Sequence, residues 1–278
     1  MGHSSLQVSL TYLRGLEVKQ LDVVYMPILG RYSLKMFIKK IVPYYIKVRL
    51  HLVKRVVMDV AKGYYFNYAE RKNFRDEFSN SLELKQKLKP NEAKNKNLLR
   101  AIKSIEQVQI NANEIFSFWR IVGNPSKKNG FVESRSLVNS KIENSIGGGL
   151  CQLSGLLYHM SLLANLEILE RHNHSIDIYT EENRFAPLGS DATVAYGYKD
   201  LKIRNNLSSP IKFNFSIEGY NIKIMMLHSS LIGRNVVEFK KNTRSDDKIE
   251  ITTLINNQIF NNSTYKKYSP NNTFIEKY

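Results

Sequence analysis

Three consecutive glycines, Gly147-Gly148-Gly149, run directly into LCQLSGLLYHMSLLA, and this junction restricts the fold more than any other segment. Leu150, Leu153, Leu157, Met160 and Ala164 recur at i, i+3, i+7, i+10 and i+14, which predicts a helix with a core-facing stripe. The glycines permit a tight turn before that helix and leave its first amides without side-chain cover. Cys151, the only cysteine, falls in the first turn. There the helix dipole favours an anion by roughly 0.3–1 kcal/mol, and a thiol can ionise well below its free value of about 8.5. Uncovered amides can also hold a developing oxyanion. The same position suits a small buried cysteine beside a phosphate-type turn, and the residues alone leave both readings open.

Downstream, LEILERHNHSIDIYT reads as a strand in which Ile168, Glu170, His172, His174, Ile176 and Ile178 share one face. Packing of that face on the cysteine helix brings an imidazole to the thiol. A second strand is expected to begin at Asp191, in DATVAYGYKDLKIRNN, with its carboxylate orienting the imidazole. Cys151, histidine and Asp191 then supply nucleophile, base and orienter for acyl transfer. A cysteine helix on an antiparallel sheet that carries the histidine is also the papain-like arrangement, an analogy of fold only. Two alternatives stand beside it. His172 and His174 have a ligand spacing for zinc, with Cys151 or Asp191 as a further ligand, or they form a purely structural pair.

One cysteine excludes an intrachain disulfide and any all-cysteine zinc site. The 278 residues are 42% hydrophobic, enough for a buried core and too much for a disordered chain. The formal charge of +16 is uneven: residues 1–110 hold 21 of the 41 Lys and Arg but 9 of the 25 Asp and Glu. Such an excess attracts anionic partners. Arg31, Lys35, Lys39, Lys40, Lys47, Arg49, Lys54, Arg55 and Lys62 recur among apolar residues at helical spacing, interrupted by Pro43, and Asp59 is the single acid in that stretch. A helix of this kind either lies on an anionic bilayer, with Phe37, Ile41, Tyr44 and Tyr45 at the interface, or covers the core with its basic side in water. No nucleic-acid motif accompanies the charge. No signal peptide is readable in MGHSSLQVSLTYLRGLEVKQ, and no run of about 18 apolar residues predicts a spanning helix. The expected location is cytoplasmic, with peripheral membrane contact.

Elsewhere, KQKLKPNEAKNKN reads as a loop leading into a helix near Leu98–Val108, and NEIFSFWRIVG as a strand entering a turn at Gly123-Asn124-Pro125. IKFNFSI and NIKIMML alternate around Glu218-Gly219-Tyr220 as a β-hairpin. The tail from Asn261 reads as frayed. The expectation is an α+β fold: a basic helical segment at 1–94, a central domain at 95–230 and C-terminal strands with a frayed tail at 231–278.

GGGLCQLSGLLY, ERHNHS and GSDATVAYGYKDLKIRNN, preceded by FSFWRIVG and NGF, resemble the VanW family in order and spacing across about residues 98–228. The family is named for an accessory gene of glycopeptide-resistance clusters. The resemblance implies a cell-wall connection, and some members are L,D-transpeptidases that use the cysteine of this motif on peptidoglycan stem peptides. Carried over by position, the nucleophile is Cys151 and its partner His174; Asp191 rests on geometry. Gly148, Gly149, Gln152, Ser154 and His172 are the candidate substrate contacts, and no metal or other cofactor is called for. The expected partner is a stem peptide or its precursor. The rival reading is a non-catalytic accessory protein that holds a peptide on the same glycine loop. Gly155 and Leu156 depart from the threonines frequent in the family, and secreted members carry a signal or anchor not readable here.

Overall fold

The computed structural model describes residues 42–71, 77–88, 91–138, 141–180, 184–245 and 247–267. Expectations for Arg31, Lys35, Phe37, Lys39, Lys40 and Ile41 lie outside these residues. Met1–Arg49 and Leu50–Tyr278 are separate units, and every element below belongs to the second apart from the start of the first helix.

The glycine triplet does lead into a helix, and the burial of that helix organises the rest. The helices are α1 (Tyr44–Ala61), α2 (Glu92–Ile105), α3 (Phe118–Val122) and α4 (Leu150–Leu163). Every residue of α4 except Cys151 is buried, so cover on all sides replaces the one-sided stripe. Gln152, Ser154, His159 and Ser161 are enclosed with the leucines.

Three sheets and helix α2 supply that cover. In the first, β1 (Asn80–Lys87), β10 (Asn221–His228), β9 (Ile211–Glu218) and β2 (Gln109–Ile110) lie side by side, all antiparallel. In the second, β3 (Ile115–Ser117), β8 (Lys202–Arg204) and β6 (Glu167–Glu170) are antiparallel. The third is the meander β11 (Val237–Ser245), β12 (Lys248–Ile255) and β13 (Gln258–Lys267), with β7 (Ile176–Asp177) parallel on β13. β4 (Glu133–Val138) and β5 (Lys141–Ile146) pair separately. Helix α4 contacts α2, β1, β6 and β10. The fold is mixed α+β, as composition and periodicity predict.

The expected hairpin is β9 and β10, with Ile211 and Phe213 on one strand and Ile222, Ile224 and Met226 on the other all buried. Other boundaries differ. The stretch KQKLKPNEAKNKN, expected as a loop, instead holds the end of strand β1, where Leu82, Leu84 and Gln86 alternate with Glu83, Lys85 and Lys87, and the start of helix α2. Helix α2 begins well before Leu98, where Asn91 caps it by accepting from the Lys94 amide at 2.8 Å. The segment after Ile115 turns helical at Phe118 and ends at Gly123, whose φ of +81° stops the helix. The tail is no frayed end up to Lys267: β13 pairs along β12, and Ser263 and Tyr265 are buried on its inner face.

Helix α1 starts directly after Pro43, and it does not keep all its charges in water. Arg55 lies 2.7 Å from Glu170 and 3.7 Å from Asp200. One turn on, Asp59 pairs with Lys202 at 2.5 Å and accepts from the Tyr68 hydroxyl at 2.8 Å. Leu50, Val53 and Val57, on the opposite side, are each more than 60% exposed. Among the described residues no helix is long and apolar enough to cross a membrane.

Candidate functional site

The site starts with backbone freedom. Gly147 and Gly149 have φ of +84° and +100°, the left-handed region that favours glycine. A Cβ at Gly147 would meet the Pro125 Cβ at 3.0 Å. Asn97 on α2, fully buried, locks this loop: its amide nitrogen donates to the carbonyls of Gly148 and Val132, both at 3.0 Å, and its oxygen accepts from the Val132 amide at 2.8 Å. The amides of Gln152 and Leu153 donate to the Gly149 carbonyl. Among the described hydrogen bonds those of Gly149 and Cys151 have no acceptor, as the first turn of a helix requires.

Cys151 therefore stands at the mouth of an otherwise enclosed helix. Its thiol contacts the Val194 carbonyl at 3.7 Å and the His174 imidazole. Burial pushes the thiol up, but the hydrogen bond and positive charge of His174 outweigh it and hold the thiol below its ordinary value. His174 is half-buried, which disfavours its cation, yet Asp191 and Cys151 raise it to about 10. The Asp191 Oδ2 lies 2.7 Å from both the His174 amide and its Nδ1, leaving Nε2 as the ring nitrogen open to sulfur. Against the cost of burial, His174 and Arg171 hold Asp191 down at about 2. The contacts thus run from the thiol through the imidazole to the carboxylate.

Neither partner sits where the two-residue period puts it. After β6 the chain leaves the ladder at Arg171–Ser175 and re-enters at β7, so His172 and His174 lie on a loop and diverge. His172 bonds Glu170 at 3.0 Å, joining the charges that hold α1. Its carbonyl accepts from the Thr193 amide at 2.6 Å, a bond that replaces a ladder. Asp191 does not open a strand either. Residues 191–194 are irregular, and strand structure resumes at β8. They are held by side chains instead: Ser154 Oγ donates to the Ala192 carbonyl at 2.6 Å. A Cβ at Gly155 would stand 3.4 Å from the Asp191 Cα and the Ser190 carbonyl, an ordinary van der Waals contact.

Of the remaining expected contacts, Gln152 reaches the Lys87 carbonyl at 2.9 Å and receives Lys94 Nζ at 2.5 Å. Ser154 also bonds the Cys151 carbonyl at 3.2 Å. Both turn toward the scaffold, and Gly148 offers its carbonyl to Asn97. Among the described residues no three His, Cys, Asp or Glu side chains are grouped to hold a metal ion.

Residues 93–227 match the family described as VanW-like protein. This segment is a VanW-like domain. Over 110 residues the chain is 36% identical to the Vancomycin B-type resistance protein VanW of Enterococcus faecalis, covering 40% of each. Over 151 residues it is 28% identical to the uncharacterized protein YoaR of Bacillus subtilis, covering 54% of this chain and 48% of YoaR. The chain thus spans less than half the length of these curated relatives. No solved structure matches it significantly.

Three residues around the VanW-like site escaped the sequence reading: Asn97, Arg171 and Tyr265. Tyr265 donates to Asp191 Oδ1 at 2.5 Å, and Arg171 approaches the same oxygen at 3.2 Å. Arg171 lies within the ERHNHS motif, which is a usable signal. Tyr265 lies in a segment whose composition suggests no order.

Proposed function

We propose that this VanW-like protein performs cysteine-dependent acyl transfer or hydrolysis on a peptide of the peptidoglycan stem type. The observation that carries the reading is the contact chain from Cys151 through His174 to Asp191. Thiolate attack on a peptide carbonyl forms the carbon–sulfur bond, and the amides of Gly149 and Cys151 face the oxygen that gains charge. As the carbon–nitrogen bond breaks, the His174 imidazolium gives its proton to the departing amine. The neutral imidazole then takes a proton from an acceptor amine or water, which attacks the thioester and frees the thiolate. A helix-borne cysteine facing an imidazole is the papain-like logic, here with the histidine on a loop.

The substrate class draws support from a relative named for vancomycin resistance and from an adjoining cleft. That cleft, of about 360 Å³, is lined by Lys85, Gln86, Lys87 and Phe185. Gln152 touches it through Lys87, and Lys94 Nζ lies 5.8 Å from the Phe185 ring. Its basic rim suits a peptide that carries carboxylates.

Incubation with tetrapeptide and pentapeptide stems, followed by intact-mass measurement, should trap an adduct on Cys151 where resolution is slow. Cys151→Ser should lose the adduct and the turnover by orders of magnitude. No adduct with any stem, together with full biological function of Cys151→Ser in cells, would leave the accessory binding protein instead.

A further inference from the structure

We propose that Tyr265 and Arg171 are positioning residues for this site, so that the working unit extends beyond the VanW-like domain into β13. The inference rests on the Cys151–His174–Asp191 reading and adds what holds the carboxylate still. Asp191 spends Oδ2 on His174 twice, through the backbone amide and Nδ1. A carboxylate held by one oxygen can rotate; Tyr265 and Arg171 fix the other. Burial and the Asp191 charge both raise the Tyr265 phenol, so it stays a donor across the working pH range.

Arg171 is 8% exposed and uses its whole fork. Nε donates to the Asp191 carbonyl at 2.8 Å, Nη2 to the Gly189 carbonyl at 2.9 Å, and Nη1 to Ser263 Oγ on β13 at 2.6 Å. Its guanidinium lies 4.8 Å from the Tyr158 ring of α4. One side chain thus ties the cysteine helix, the aspartate segment and the C-terminal meander. Along this line Arg171 faces Asp191, Asp191 faces His174, and His174 faces the Cys151 thiol.

The backbone of β13 also brackets the histidine. Asn173 Nδ2 donates to the Thr264 carbonyl, and the Lys266 amide to the Ser175 carbonyl, both at 2.9 Å. His174 lies between these two stitches, and Tyr265 lies between their partners on the strand. A tyrosine needed only for packing against Ile249 and Ile251 would not require its hydroxyl on a carboxylate.

The test titrates Cys151 alkylation by iodoacetamide against pH in the full chain, with melting temperature alongside. Tyr265→Phe keeps the ring and removes one donor. Its midpoint should rise by about half to one pH unit, equivalent to roughly three- to tenfold less thiolate below the midpoint. Arg171→Lys keeps a charge and loses the fork, and should shift the midpoint the same way. Ser263→Ala is a milder probe that serves if Tyr265→Phe does not fold. A low wild-type midpoint unmoved in Tyr265→Phe, or in Arg171→Lys and Ser263→Ala where Tyr265→Phe is unfolded, would overturn the positioning role and leave the triad standing. An ordinary wild-type midpoint, near 8.5, would instead remove the triad, and this proposal with it.

Discussion

Helices α1 and α4 are both rich in branched apolar side chains, yet none of the 18 residues of α1 is buried and all but one of the 14 in α4 are. Helix α4 is held by packing on every side; α1 is fastened by Arg55 and Asp59 to Glu170, Asp200 and Lys202. Apolar content alone did not decide their fates. What decided them was the surface that the rest of the chain offers, three sheets and a helix for one and a cluster of charges for the other. The enclosed helix can hold a thiol in a fixed place, because close-packed interiors keep side chains in single arrangements.

The largest test of this contrast is a pair of truncations. Leu157→Ala in α4, fully buried, should cost about 2–5 kcal/mol through cavity formation. Val57→Ala in α1, 62% exposed, should stay within about 0.5 kcal/mol. Denaturant unfolding measures both, and similar losses would break the comparison. Next in size is Arg55→Met. It should cost about 1–3 kcal/mol, less than the 3–5 expected for breaking a fully enclosed pair, because Lys202 still faces Glu170 at 3.4 Å. Hydrogen exchange should speed up in α1 and not in α4.

A smaller effect lies in the pH dependence of the charge cluster that holds α1. Burial, with the Glu170 charge added, raises Asp200 to about 6, whereas His172, Arg55 and Lys202 overcome burial to hold Glu170 at about 2. The raised carboxylate contributes stability that is present below about pH 4 and lost as pH climbs through 6. The depressed one contributes stability present above about pH 4.5 and lost toward pH 2. Melting temperature should therefore decline from pH 4 to 6 in the wild type and decline less in Asp200→Asn. A slope unchanged by that substitution would assign the decline to another group.

The smallest stability change is expected on the outward row of α1. Val53→Asp with Val57→Asp should leave the unfolding free energy within about 0.5 kcal/mol. If this row meets an anionic bilayer, as the basic composition predicts, the same variant should lose sedimentation with phosphatidylserine vesicles, and wild-type binding should fall as salt rises. Wild-type chain that ignores such vesicles would confine α1 to its role as a charged strap.

Local pattern by itself determined the cysteine helix, the β9–β10 hairpin and the three residue types of the candidate site. Glycine freedom, a 3.6-residue period and a two-residue period each act within a few residues, so they can be read along the chain. Tertiary structure decided the rest. His172 and His174 look equivalent in a strand pattern, but the Thr193 amide and the Asp191 carboxylate draw the chain off the ladder, so that one faces Glu170 and the other the thiol. Arg55 and Asp59 look like parts of a water-facing basic stripe until Glu170 and Lys202, more than a hundred residues away, supply their partners. Strand β13 looks like a polar tail, and its tyrosine reaches Asp191 across 74 positions of sequence. Hydrogen bonds and ion pairs form between whatever groups the fold brings within about 3 Å. Their partners are set by three-dimensional proximity, which the periodicity of a single segment does not encode.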